Sequence, residues 1–295
     1  MTTGSEKLRR HARELGAEEP EAALELYDQA LSAEDATPGD LATALKDKAV
    51  TLALLGRNDE ALSLFGQVIE RHHRSDDTKV RAAVDKSLHN KAVLLNDAGS
   101  KDEAIRLYDE IATRNMRRPD IESRRSLAES FLCKANIVQS KGTDGALADA
   151  ITFYRLVSRT RDKSDDPVLT ELAARSLLCE AFALFATHRG FVQTFSWWSR
   201  RSLFSRLERA IIHLAESPQD SDSSLLLAAR AVAMKAHFLV LFGYSKKGDK
   251  TRKIETIARR FGPVRAKRIV AFMEMEQNLR SLAAFSGTQS MGVML

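Results

Sequence analysis

Apolar residues recur along this chain at helical spacing, in paired segments separated by short polar breaks. Within PEAALELYDQALSAED, Ala23, Leu24, Tyr27, Ala30 and Leu31 fall on one helical face, and Pro20 suits the first turn of that helix. Ala36 to Asp40 reads as a turn by composition. Leu45, Ala49 and Leu52 mark the inward stripe of the next helix, and Ala61, Leu62, Leu64, Phe65, Val68 and Ile69 mark that of its follower. Between these two lies Gly56-Arg57-Asn58-Asp59. The glycine can take the left-handed conformation that ends one helix, and Asn58 or Asp59 can cap the next. So short a connection forces neighbouring helices to run antiparallel.

The pattern repeats. Lys48 to Arg71 reads KAVTLALLGRNDEALSLFGQVIER and returns 43 residues later as KAVLLNDAGSKDEAIRLYDEIATR, Lys91 to Arg114. A period of this length is the mark of a stacked array, so the expected fold is all-α, an α-solenoid of antiparallel helix pairs. An alanine followed seven residues later by a glycine recurs as Ala49 and Gly56, Ala92 and Gly99, Ala135 and Gly142, and Ala236 and Gly243. In the third pair Ala150 and Tyr154 lie 46 residues beyond Ala104 and Tyr108, which predicts a three-residue insertion in the turn. The fourth has Glu180-Ala181 in place of Lys-Ala, and the stretch Gly190 to Arg209 fits no copy. Lys250 to Phe261 and Val264 to Phe285 are expected to close the array. The resulting division is regular repeats over 1–160, divergent repeats and a capping helix over 161–286, and a disordered tail over 287–295.

Ala49, Gly56, Ala61 and Phe65, then Ala92, Gly99, Ala104 and Tyr108, resemble the tetratricopeptide repeat pattern. The 43-residue period is similar to the long-helix variant common in bacterial proteins, which implies a bacterial origin. The resemblance covers residues 10–160 well and 165–285 loosely. It implies a non-catalytic scaffold or regulator whose first helices line a concave groove for a protein or peptide. Carried over by position, the groove residues are Lys46, Lys86, His89, Asn96, Asp97, Asn136 and Gln139. The family's clamp for a partner's terminal carboxylate is matched at Lys46 and Asn90, while Val50, Glu129 and Cys133 occupy other clamp positions.

Charge adds a second feature. Residues 1–150 carry 22 Lys and Arg against 27 Asp and Glu, whereas 151–295 carry 23 against 13. The excess concentrates between Lys246 and Arg268, where Lys246, Lys247, Lys250, Arg252, Lys253, Arg259 and Arg260 form a candidate patch for nucleic acid or an acidic partner. IETIARRFGPVRAKRIVAFM within it is similar to a helix-turn-helix, but Pro263 follows the turn glycine and Arg268 occupies an apolar position, so phosphate contact is favoured over base reading. Phe195, Trp197 and Trp198 are candidate docking aromatics, for a partner, a membrane surface or self-association; the alternative is that they fill the core of an irregular repeat.

The recurrent Lys48, Lys91, Lys134 and Lys235 predict either a cationic ladder or lysines lying along the seam between helices with their ammonium groups in water. Cys133 and Cys179, one repeat apart, are expected to be buried free thiols. His72 and His73 sit in the polar connector RHHRSDD without metal-ligand partners at suitable spacing. No glycine-rich phosphate loop, nucleophile elbow or paired-histidine helix motif occurs, so catalysis, a metal and a cofactor are not expected. No apolar run follows the basic residues of the N-terminus, and no segment has the apolar length of a transmembrane span, which places the expected location in the cytoplasm.

Overall fold

The computed structural model describes residues 3–16, 18–161, 164–187, 196–216, 222–244 and 250–271. The chain divides into two compact units, Met1–Ile137 and Val138–Leu295. Both are all-α, built from consecutive antiparallel helix pairs of the solenoid kind.

The first unit contains α1 (Gly4–Leu15), α2 (Pro20–Ser32), α3 (Pro38–Leu54), α4 (Asn58–His72), α5 (Thr78–Asp97), α6 (Lys101–Asn115) and the bulk of α7 (Ile121–Gln139). Within each pair the two helices pack together, and each second helix from α2 to α4 also packs on the next first helix. First helices meet too: α1 touches α3, and α3 touches α5. Tyr27, Phe65 and Tyr108 put one buried aromatic into each second helix, in clusters that hold the small residues Ala12, Ala49 and Ala92 of the first helices, respectively. Leu45 and Ile69 pack on this core from its edge, as does Leu64.

Why the helices stop where they do is visible at Gly56 and Gly99, whose φ angles are +76° and +86°. At Gly56 the Arg57 N–H bonds Leu52 O at 2.9 Å and the Gly56 N–H bonds Ala53 O at 3.0 Å. This double closure satisfies the last carbonyls of α3, and it needs a residue free to turn left-handed. Gly66, in the interior of α4, has no such duty and faces open space. Gly56→Ala is therefore expected to cost about 1 kcal/mol, and Gly66→Ala to gain about 0.5–1 kcal/mol. Urea denaturation of the two variants checks the opposite signs.

The second unit contains α8 (Asp144–Arg161), α9 (Pro167–Thr187), α10 (Trp197–Glu216), α11 (Asp222–Leu241) and α12 (Lys250–Ala258). A 3-10 turn, Arg259–Phe261, and helical residues 263–271 follow. Leu177, Leu203, Leu207, Ile211, Leu225 and Val232 lie in its main core.

Two expectations are corrected here. The three extra residues of the third pair are not in its turn: α8 starts two residues after Gly142, as α4 and α6 start two residues after Gly56 and Gly99. They lie inside α8, which has 18 residues where α4 and α6 have 15. Three residues advance a helix by almost one full turn, so Tyr154 still faces inward. Of the stretch Gly190 to Arg209, the part from Trp197 onward also joins the register: it belongs to α10, which packs between α9 and α11. Fully buried Leu207 stands there in place of the usual aromatic, which hid the match in the sequence. Residues 190–195 and 272–295, with the end of the capping helix and the tail, lie outside the described residues.

Candidate functional site

The first helices of unit 1 are held in place at their starts by carboxylates. The side chains of Asp77 and Asp120 accept from the N–H groups of Val80 and Ser123, each at 2.9 Å, and cap α5 and α7. At α3, Thr37 and Asp40 cap each other reciprocally. Asp40 is only 2% exposed and receives the Lys79 ammonium of α5 at 2.6 Å. Burial alone would raise its pKa, yet the bonds from Lys79 and Thr37 hold it well below the usual carboxylate range. Arg81 of α5 reaches the other way, to Asp120 before α7, at 3.3 Å. Helices α3, α5 and α7 are thus cross-linked into one layer.

On this layer Lys86, His89, Val93, Asn96 and Asp97 share a stripe of α5 at helical spacing. Lys86, Val93 and Asp97 are exposed. Lys86 pairs with Glu129 of α7 at 2.6 Å, and Asn96 donates to Asp97 at 3.4 Å. Half-buried His89 sets its ring edge-on to Tyr108, with centroids 5.8 Å apart. Burial pushes its pKa down, Glu129 opposes that and Lys86 adds to it. Lys46 on α3 bonds its neighbour Asp47 at 2.5 Å, and Asp47 also holds Arg9 of α1 at 3.0 Å. Asn136 is half-buried on α7. Gln139 belongs to the second unit, where its Oε1 accepts the Tyr154 hydroxyl at 2.6 Å.

The recurrent lysines occupy the seam. Lys48 bonds Asp28 at 2.5 Å, Lys134 bonds Asp109 and Lys235 bonds Glu208. Each acid directly follows the buried Tyr27, Tyr108 or Leu207 of a second helix. The residue after Phe65 is Gly66, and Lys91 makes no ion pair among the described residues. In the fourth pair the charges are exchanged: Arg155 follows Tyr154 and bonds Glu180, which stands where the other repeats have lysine, at 2.8 Å. Sequence inspection notices Glu180 but not its partner, although Arg155 after Tyr154 was the available signal.

Arg252, Arg259 and Arg260 of the basic segment are exposed. Arg260 is bonded to Glu208, whose carboxyl is held below its ordinary pKa by Lys235 and Arg260 against the effect of burial. Lys246 and Lys247 lie outside the described residues, as do the side chains of Lys250 and Lys253. Trp197 and Trp198 are 57% and 72% exposed at the start of α10, so the core alternative fails for both. Their rings meet edge to face at 4.6 Å, with the Arg201 guanidinium 5.3 Å from Trp197. Phe195 lies outside the described residues. Neither cysteine is in a disulfide; Cys179 is buried as expected, whereas Cys133 is only half-buried, a correction that follows from its packing at the edge of the core cluster rather than inside it. No cluster of metal-ligating side chains occurs among the described residues, and no helix there is long and apolar enough to cross a membrane.

Residues 41–75, spanning α3 after its first turn together with α4, match the family model for the tetratricopeptide repeat. The chain carries a tetratricopeptide repeat. The matched unit supplies the Ala49, Gly56, Ala61 and Phe65 positions around which the other pairs of the first unit are patterned. Two solved structures align over nearly the whole chain. One is a tetratricopeptide repeat protein from Parabacteroides merdae, 12% identical, covering 92% of this chain and 98% of its own, with a TM-score of 0.41. The other is an engineered protein, 14% identical, covering 93% and 97%, with a TM-score of 0.39. At those scores neither alignment bears on function. No curated protein matches the sequence.

Proposed function

We propose that the chain is a non-catalytic scaffold that binds a protein or peptide on the first-helix layer of residues 40–137. The observation that carries this reading is the α5 stripe. Lys86, Val93 and Asp97 offer a cation, an apolar contact and an anion in one line, on helices that capping and the Lys79 and Arg81 cross-links hold rigid. A pre-ordered surface of this kind binds without the entropic cost of assembling itself. Lys46 and Asn136 flank the stripe on α3 and α7. The tetratricopeptide match over 41–75 supports the same use. The basic segment has less to offer nucleic acid, since Arg260 is already held by Glu208.

The test uses the chain as bait against an extract of its native source, beside the double variant Lys86→Gln/Asn96→Ala. Loss of one charged and one neutral hydrogen bond is expected to weaken capture by about tenfold or more. The melting curve should stay in place, because both side chains lie on the open layer. Equal recovery of the same partner by both baits would remove this face from the binding site.

A further inference from the structure

A separate cavity of about 320 Å³ lies where α4 ends, α5 begins and α6 ends, lined by His73, Arg74, Ser75, Asp76, Arg81, Asp85, Arg114, Asn115 and Arg118. Four arginines from three segments converge on it, against the two carboxylates of Asp76 and Asp85. From sequence the connector RHHRSDD is merely polar; folded, it forms one wall of a cationic site.

Hydrogen-bond capacity is what singles this cavity out. Its buried carboxylate is taken. Asp85 is buried and receives Arg114 Nε at 2.9 Å on one oxygen and Asn115 Nδ2 at 2.8 Å on the other. The helix-end carbonyls, which would repel an anion, are covered as well. His73 O receives Arg114 Nη1 at 2.7 Å, Arg114 O receives Arg118 Nε at 3.1 Å, and Asn115 O receives the Arg118 N–H at 3.0 Å. Donors remain in excess. Arg74 is exposed and makes no hydrogen bond or ion pair among the described residues. Beyond the Nε bond to Arg114 O, Arg118 reaches the exposed Asp76, at 3.5 Å through one Nη, and its other Nη is left over. Arg81 uses one nitrogen, on Asp120 and Ser123.

We infer that this cavity binds a phosphate monoester group. A guanidinium fork presents paired donors to phosphate oxygens, and several forks from different directions suit a dianion with three peripheral oxygens better than a flat carboxylate. The excess of two positive charges in the lining matches the charge of such a group near neutral pH. The group is carried either by a phosphorylated side chain or by a small phosphorylated molecule. This inference stands independently of the α5 stripe, none of whose residues lines the cavity.

Calorimetric titration of the whole chain at low salt with O-phospho-L-serine, inorganic phosphate and serine tests it. Both phosphates should bind once per chain and serine not at all. Tighter binding of phosphoserine points to a phosphorylated side chain as the source, and equal or tighter binding of inorganic phosphate to a small molecule. Arg74→Gln/Arg118→Gln should weaken phosphate binding by about tenfold or more, and Arg74→Lys/Arg118→Lys by less, since lysine keeps the charge and loses the fork. A circular dichroism melt controls for folding. If the double variant melts early, Arg74→Gln alone, at an exposed side chain with no partner, carries the comparison. Absence of heat with both phosphates at millimolar concentration, or binding unchanged by the glutamine variants, overturns the inference: the arginines then only cap the ends of α4 and α6.

Discussion

Replacing Arg155 and Arg206 together by methionine is expected to destabilise the second unit by about 3–5 kcal/mol. Glu180 is the reason. Its side chain is 1% exposed on α9, and its Oε1 receives Arg155 Nε of α8 at 2.8 Å and Arg206 Nε of α10 at 3.1 Å. One carboxylate thus ties three successive helices. Methionine keeps most of each arginine stem in place but removes both charges, leaving an uncompensated anion out of water. Either single change should cost distinctly less, because the other guanidinium still answers the carboxylate. Adding Glu180→Met to the pair should restore most of the loss, since a buried ionic cluster replaced as a whole by apolar groups is close to neutral. Urea denaturation of the parent and the four variants gives the comparison. A double variant as stable as the parent would mean that water reaches Glu180 and the cluster is an ordinary surface pair.

Phe65→Ala should cost a similar amount, about 3–5 kcal/mol, through a different mechanism. Its ring is wholly enclosed, in a cluster with Leu24, Ala49, Leu52 and Ala61 from α2, α3 and α4. Alanine at position 49 leaves room for that ring, so removing the ring leaves a void that the stiff neighbouring helices cannot close. Phe65→Leu, which keeps most of the apolar volume, should cost less than about 1.5 kcal/mol. Each repeat is stabilised by its neighbours, so the loss should spread to α2 and α5, which pack on α3 and α4. Hydrogen exchange read helix by helix detects that spread. Loss of protection confined to α4 would show that the pairs of this unit open independently.

These two sites mark how far a sequence reading reaches. Phe65 is visible in the chain itself, because an aromatic four residues after Ala61 recurs as Tyr108 after Ala104. The Glu180 cluster is not, because its charges are exchanged relative to Lys48, Lys134 and Lys235, and a search for repeated residue types discards an exchange of sign. Leu207 was missed for a related reason: a leucine does the packing of an aromatic, and the register is recovered only from what touches what. The α5 stripe was readable as a set of polar positions, but not that Lys46 is bonded to Asp47 or that His89 lies against Tyr108. The arginine cavity left no trace, since its walls come from residues 73 to 118, and no short window contains them together.

What the sequence determined by itself is local and periodic. The glycines at 56, 99, 142 and 243 all have φ between +68° and +86°, and each ends a helix where the spacing predicts. That follows from backbone sterics, which act within a few residues. The small and aromatic positions likewise fix which helix faces turn inward, through a period of 3.6 residues. The tertiary structure decided the partners. Side chains tens of residues apart meet across a seam or a cavity, and whether a lysine is bonded, a tryptophan exposed or an arginine left with spare donors depends on distances that no spacing along the chain encodes.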